Sequence, residues 1–477
     1  MSVLPLVIDL DGTLIRSDML AESALRMLRA APFDILKIPA WLLRGKAVLK
    51  RHLALQTDFD PRFLPYNRDL LDWLKQQRAL GRKLILCTAS DLSIATTISQ
   101  HLGVFDDVMA SDGTTNLAGS HKAQALEQRF GRAGFDYAGN APADLPVWQR
   151  ARRAIVVNAS AALATQVSAC CEIEQVFPTL TLNGAVWRRA LRIHQWPKNL
   201  LLFVPMLAAH HIANPGMWSA LILAFVSFSL CASSVYIAND LLDLDSDRQH
   251  PRKCNRPFAS GAIQIWMGGA ASLGLILLSL LLAHQVGGAF LPWLGFYFSV
   301  TCAYSCWLKR LMLVDCLTLA VLYTLRIVSG AAAAGTVLSF WLLAFAIFIF
   351  LSLAFVKRYV ELQVQALNGV EKAPGRGYFV ADAPIVQMLG INAGYAAVLV
   401  LALYLNSDTV IHLYRSPEVV WGAVPVMLFW VSWIWIQAHR GKVHDDPLIF
   451  AITDKTSLLV GVLFVVILTI GAVGWPW

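Results

Sequence analysis

The sequence predicts a multidomain chain: a doubly wound α/β domain, then an all-α polytopic membrane domain of nine transmembrane helices. Three observations carry that reading. Over 477 residues, 57% are hydrophobic and 15% charged, with a mean hydropathy of +0.56, which is too apolar and charge-poor for an ordinary soluble protein. The apolarity is uneven, because residues 1–180 hold 20 Lys+Arg and 18 Asp+Glu whereas 181–477 hold 19 and 13. Finally, short β-rich runs alternate with helical patterns before that boundary, and long apolar spans follow it.

Taken in order, the β-rich runs are Leu4 to Ile8, Lys83 to Cys87, Asp136 to Gly139 and Ala154 to Val157, which argues a parallel sheet. Residues 18–80 are helical in pattern and interrupt it as a cap would. The segment Trp187 to Asn199, WRRALRIHQWPKN, is basic with two tryptophans and suits a membrane interface. We therefore place domains at 1–180 and 199–477, joined by an interfacial helix at 181–198. Apolar spans follow near 199–213, 216–239, 262–285, 287–304, 311–334, 338–356, 383–405, 417–438 and 456–475. The first is short for a ~20-residue crossing unless it begins in the interfacial helix.

The loops at 240–261, 305–310, 357–382 and 439–455 carry 13 Lys+Arg, and the opposite loops carry one, Arg415. The positive-inside rule then predicts a multi-pass protein of the inner membrane with its N-terminal domain in the cytoplasm. MSVLPLVIDLDGTL has no basic region followed by a long apolar one, so no signal peptide is expected. The eight cysteines lack zinc or disulfide spacing and read as small apolar residues. Of the net charge of +8, +6 lies in the membrane part, where it suits anionic lipid and anionic substrates; no nucleic-acid partner is expected.

In the first domain, VLPLVI runs into Asp9-Leu10-Asp11-Gly12-Thr13, which sets two carboxylates at the carboxyl end of a strand, where open α/β sheets bind ligands. One carboxylate can attack phosphorus and the other can shuttle the proton. The domain resembles the haloacid dehalogenase (HAD) superfamily of phosphatases. Thr88 in LILCTAS, Lys122 in GSHKAQAL and Asp144 in AGNAPADLPVW match that family's later motifs in order. The resemblance implies Asp9 as nucleophile, Asp11 as general acid/base, and Mg²⁺ held by Asp9, Asp11 and Asn140. Asn140 stands where the family usually has aspartate, and its amide brings no charge. Two readings of the domain stay open: an active phosphatase, or a docking domain of the same shape.

Residues 239–260, NDLLDLDSDRQHPRKCNRPFAS, follow a run from Gly216 to Ala238 with no charged residue. Asn239, Asp243 and Asp247 are four apart, and Asp240 is three from Asp243. On a helix these oxygens would stack along one face and offer a hard-cation site fitted to Mg²⁺ and a diphosphate. Arg248, Arg252, Lys253 and Arg256 add charges for a second anionic group. Such charges are costly at the mouth of an apolar span, which favours function over a solvated loop.

NDLLDLDSD resembles the UbiA superfamily of intramembrane prenyltransferases. Members that use isoprenyl diphosphates carry a second pair of acids after the fourth span. Here that region reads Tyr304, Lys309, Arg310 and Asp315, with Leu319 in place of the second acid. This pattern is similar to the decaprenylphosphoryl-phosphoribose synthase branch. HQWPKN (Lys198, Asn199), CNRPFASG (Arg256), LRIVSGAAAAG (Arg326), FVKRYVEL (Lys357, Arg358, Glu361) and DDPLIFAITDKTS (Asp446, Asp454, Lys455) agree with it.

The resemblance implies transfer of 5-phosphoribose from phosphoribosyl pyrophosphate (PRPP) to a polyprenyl phosphate, with Mg²⁺ as cofactor. An anionic acceptor needs no general base, so interfacial or loop roles are expected for His194, His210, His211 and His444. Arg326, inside a span, is expected to bind ligand or pair with an ion. The alternatives are an aromatic prenyltransferase, against which Leu319 counts, and a non-enzymatic lipid carrier with a regulatory domain, which leaves the acidic face unexplained.

Overall fold

The structure, a computed structural model, describes residues 4–179, 182–369, 371, 376–407, 414–443 and 446–474; His444 lies outside them. The chain divides into two compact units, Met1–Arg192 with Tyr236–Leu273, and Ile193–Val235 with Gly274–Trp477.

In the first unit, strands β1 (Leu6–Ile8), β2 (Leu84–Asp91), β3 (Asp107–Ser111), β4 (Asp136–Gly139), β5 (Arg153–Val157) and β6 (Glu172–Phe177) form one sheet of order β3-β2-β1-β4-β5-β6. Every pairing is parallel. Leu6, Val7 and Ile8 are fully buried, as a central parallel strand covered on both faces requires. Leu6 and Ile8 join one core and Val7 the other, the alternation of a pleated strand. Ile8 pairs with Leu86 on one side and Ala138 on the other, so the residues that follow β1, β2 and β4 meet at one end of the sheet.

Between β1 and β2 lie four α-helices, Met19–Ala30, Ile38–Leu43, Lys46–Gln56 and Arg68–Ala79; the first three share a small core of their own, and the last packs Leu70 and Leu74 into the core of Leu6 and Ile8. Asp18 caps the first helix through the N–H groups of Leu20 and Ala21, and Asn67 caps the last through Leu70, each satisfying orphan donors. β3 and β6 were not expected from sequence. They are the sheet's edges, and β6 (EIEQVF) buries only Phe177.

The segment Tyr236–Leu273 groups with this unit, not with the apolar helices as the expected boundaries had it. Ion pairs tie it there: Glu22 to Arg248 and Arg26 to Asp245.

Among the described residues, seven helices are long and apolar enough to cross a membrane: Pro215–Leu242, Ile265–Val286, Val314–Ala334, Phe340–Leu367, Val380–Leu405, Pro417–His439 and Lys455–Val473. This is a membrane protein, but nine spans are not seen by that measure. The expected fourth span is the helix Phe290–Cys306, only 17 residues long. The expected first is a 3₁₀ segment, Ile193–Phe203, with Pro197 inside it, followed by a five-residue helix with a proline at its start. Proline removes a donor and clashes with the preceding turn.

The second unit's main core joins residues of the helices that begin at Val314, Phe340, Ala383 and Ala423. Glycine permits the closest approaches: a Cβ on Gly330 would meet the Leu202 carbonyl at 2.0 Å, and one on Gly390 the Trp435 ring at 2.2 Å. Small residues let helices pack this tightly in membranes. All eight cysteines are free.

Candidate functional site

Three polar constellations stand out, two in the first unit and one in the second.

The first lies at the carboxyl ends of β1, β2 and β4. Asp9 accepts from Lys122 Nζ at 2.7 Å, and Lys122 also reaches the Tyr137 hydroxyl at 3.0 Å and Asp144 at 3.8 Å. Asp144 accepts from Tyr137 at 2.7 Å and from the N–H groups of Asn140 and Ala141 at 3.1 Å. Asp11 accepts from the Met19 N–H at 2.7 Å, from Ser90 at 2.6 Å and from Thr88 at 3.3 Å, so its carboxylate is oriented from both sides. Asn140 turns its carbonyl oxygen to the Thr13 hydroxyl at 3.2 Å.

The structure thus brings Asp9, Asp11, Thr88, Lys122, Asn140 and Asp144 together, with Ser90 and Tyr137 beside them. Burial raises Asp9 to about 7 against the pull of Lys122, with Asp144 adding to the rise; burial raises Asp11 as well. The donors are all oxygens, which suits Mg²⁺, although an amide in the set leaves one charge fewer.

The acidic segment is not one continuous helical face. The helix ends at Leu242, and Asp243 (φ −91°, ψ 12°) leads into a separate helix, Leu244–Gln249. The i+4 register survives the break, since Asp243 N–H donates to Asn239 and Asp247 N–H to Asp243, each at 2.8 Å. Asp240 and Asp247 are buried and converge on one atom, Arg256 Nη1, at 3.1 and 2.6 Å. Arg192 also pairs with Asp240.

Among the described residues no three His, Cys, Asp or Glu side chains cluster as a ready metal site. Two carboxylates that already share one cationic group nevertheless fit a hard dication in kind and in reach. Asn239 and Asp243 are half-buried beside them, and Arg252 and Lys253 are exposed.

In the second unit, Lys198 pairs with Asp446 at 2.5 Å, with Lys357 3.8 Å from the same oxygen and the Tyr323 hydroxyl donating to it at 3.4 Å. Arg326 is 5% exposed. It donates to Asn199 Oδ1 at 2.9 Å, the Leu322 carbonyl at 2.7 Å and the Tyr297 hydroxyl at 3.0 Å, and lies over the rings of Tyr297, Tyr323 and Phe228. Aromatic faces stabilise a desolvated cation. Lys198, Asn199, Arg326, Lys357 and Asp446 are therefore linked.

Asp315 and Arg358 stand apart from that group. They pair at 2.5 Å with both side chains wholly buried, and Tyr378 donates to Asp315 at 2.7 Å. Arg358 also pairs with Glu361. Tyr304 receives Arg376 at 3.1 Å, Lys309 lies in a 3₁₀ turn, and Asp454 caps the helix Lys455–Val473 through Ser457.

Removing one member of a buried ion pair leaves an uncompensated charge. Asp315→Ala is thus expected to cost about 3–5 kcal/mol, and Asp315→Leu with Arg358→Met much less. Thermal unfolding of the two purified variants in detergent compares them; equal losses would show that the pair is not what matters. Tyr297, Tyr323, Tyr378 and Arg376 were missed from sequence, for no spacing rule connects them to their partners.

A profile of the UbiA prenyltransferase family matches residues 201–459. An uncharacterized protein of Sinorhizobium fredii, y4nM, is 38% identical over 467 residues, 96% of this chain and 89% of its own. The decaprenyl-phosphate phosphoribosyltransferase of Corynebacterium glutamicum is 34% identical over 187 residues, 38% of this chain and 56% of its own.

Among solved structures, a UbiA homolog from Archaeoglobus fulgidus bound to GPP and Mg²⁺ covers 60% of this chain and 99% of its own, at 16% identity and TM-score 0.46. A substrate-bound phosphoserine phosphatase covers 37% of this chain and 93% of its own, at 14% identity and TM-score 0.27. With the profile spanning more than half of its residues, this chain belongs to the UbiA prenyltransferase family.

Proposed function

We propose that this protein transfers 5-phosphoribose from PRPP to a polyprenyl phosphate at the cytoplasmic face of the membrane, with Mg²⁺, and that its N-terminal domain then removes the 5-phosphate. The observation that carries the transferase reading is the convergence of Asp240 and Asp247 on a single cationic atom of Arg256, in a family whose members work on diphosphates. Asn239, Asp240, Asp243 and Asp247 would hold the metal, which when bound supplies charge to the departing diphosphate. Arg252, Lys253 and Arg256 offer donors to the donor's phosphates, in the manner of guanidinium forks and ammonium point charges.

Lys198 and Lys357, gathered at Asp446, are assigned to an anionic headgroup. Burial holds Lys198 down to about 8, low for a lysine but still mostly charged near neutrality, so it can meet a phosphate as a cation. An acceptor phosphate is already anionic at that pH and needs no base. PRPP is preferred over an isoprenyl diphosphate because Leu319 replaces an acid, and because relatives over 187 residues include a decaprenyl-phosphate phosphoribosyltransferase.

A binding titration on the purified protein tests the choice. PRPP with Mg²⁺ is expected to bind at least about tenfold tighter than geranyl diphosphate, a difference of ~1.4 kcal/mol. The reverse order makes this an isoprenyl-diphosphate enzyme.

A further inference from the structure

The helix Met19–Ala30 makes polar contacts along its length that the chemistry above does not use. At its first residue the Met19 N–H donates to Asp11 Oδ1 at 2.7 Å. One turn on, Glu22, 1% exposed, accepts from both terminal nitrogens of Arg248, at 3.0 and 2.6 Å, while Arg248 Nε donates to the Ala259 carbonyl at 3.1 Å. A further turn on, Arg26 donates to both oxygens of Asp245 at 3.2 and 2.7 Å, reaches Glu22 at 3.1 Å and lies 5.7 Å over the Phe59 ring. Arg248 is the residue after Asp247, and Asp245 lies two before it.

Four charges of alternating sign thus join the cap of the phosphatase-like domain to the acidic segment within one unit. A buried carboxylate is costly unless paired, and a fork-to-fork pair fixes geometry as well as charge. The helix Leu244–Gln249 has six residues, too few to hold its own shape in isolation, so its shape must come from contacts of this kind. Met19 and Glu22 are three residues apart, about 4.5 Å along a rigid helix, so a shift at Glu22 is felt at the N–H that orients Asp11.

We propose that Glu22 and Arg26 are positioning residues: they hold the acidic segment in the form that presents Asp240 and Asp247, and their helix ties that segment to Asp11. For its ligand the inference rests on the diphosphate reading above. It makes the phosphatase-like domain a structural part of the transferase, whatever its own turnover.

Hydrogen exchange read by mass spectrometry on the full-length protein in detergent tests it in two arms. Without ligand, Glu22→Gln is expected to speed exchange at residues 244–256 by about tenfold or more and to leave β2 as protected as in wild type; unchanged exchange at 244–256 overturns the proposal. Should β2 also lose protection, Arg26→Gln decides, because its partner Asp245 reaches solvent and is not stranded. Faster exchange at 244–256 than in wild type supports the clamp, and exchange as in wild type overturns it.

With inorganic diphosphate and Mg²⁺, wild type is expected to gain protection at 239–256 and at 19–30, and Glu22→Gln at 239–256 alone. Protection at 239–256 without any at 19–30 in wild type overturns the tie to Asp11. No protection at 239–256 in wild type overturns the diphosphate reading, while the ligand-free arm still judges the clamp.

Discussion

Asp247→Asn is expected to lower phosphoribosyl transfer at least about 100-fold while leaving the protein folded, and Asp243→Asn to do the same. The substitution keeps the size of the side chain and removes its charge. Asp247 is 2% exposed and shares the Arg256 guanidinium with Asp240, so its loss leaves one carboxylate where two converge. The fold should survive because the Arg256 side chain is 30% exposed, and a guanidinium that reaches water is not stranded by losing one partner. Transfer of labelled phosphoribose at limiting Mg²⁺, read beside thermal stability, checks this. Full turnover in both variants would end the assignment of these acids to the metal.

How much of this was legible in the sequence depends on how local the signal was. The central strands were, because a parallel strand buried on both faces writes itself as an unbroken apolar run, as Leu6 to Ile8 does. Asp136 to Gly139 matched to the residue. The edges were not: β6 pairs on one side only and carries two glutamates, which a chain-local reading takes for loop. The stretch from 18 to 80 was visible as helical periodicity, but periodicity did not separate the helices that share a small core of their own from Arg68–Ala79, which packs Leu70 and Leu74 against the sheet.

The gathering of Asp9, Asp11, Thr88, Lys122 and Asp144 was readable because motif order along the chain maps onto neighbouring strand ends. In the membrane part, apolarity located the helices, but counting spans by apolar length overlooked what Pro197 and Pro205 do to backbone hydrogen bonding. Periodicity also carried the acidic segment too far. Four-residue spacing predicted one face, and the register persists, yet the helix itself stops at Asp243.

Long-range pairs are the part no spacing announces. Glu22 reads as one more polar residue on an amphipathic helix, and its partner is 226 positions away. Asp315 and Arg358 each sit in a motif-like string that resembles the family's; the structure pairs them with one another, without solvent exposure. A charge in an apolar stretch says that a partner must exist. It does not say whether that partner is a ligand or another side chain.

Asp9→Asn is expected to leave the transferase running and to make the 5-phosphorylated lipid accumulate in place of its dephosphorylated form. In the proposed step an Asp9 oxygen attacks phosphorus to form an aspartyl-phosphate, the lipid-linked ribose leaves as an alcohol with a proton from Asp11, and water then releases phosphate. Asp11 is placed for that task by Ser90, Thr88 and the Met19 N–H, while Lys122 holds Asp9 and offers charge to a phosphate oxygen.

The pH dependence should separate the two activities. With no metal bound, burial raises Asp9 to about 7, and only its ionised form attacks, so at limiting Mg²⁺ phosphate removal should fall as pH drops below that value, approaching tenfold per unit. Saturating Mg²⁺ should move the fall to lower pH. Transfer, which does not use Asp9, should not follow the same curve. Because the two proposed activities would share one chain, product would be supplied at high local concentration, and mass spectrometry of the lipid reads both steps in one incubation. If wild type and Asp9→Asn both stop at the phosphorylated lipid with Mg²⁺ saturating, then the amide of Asn140 has taken a charge the metal needed, and the domain serves the transferase by docking alone.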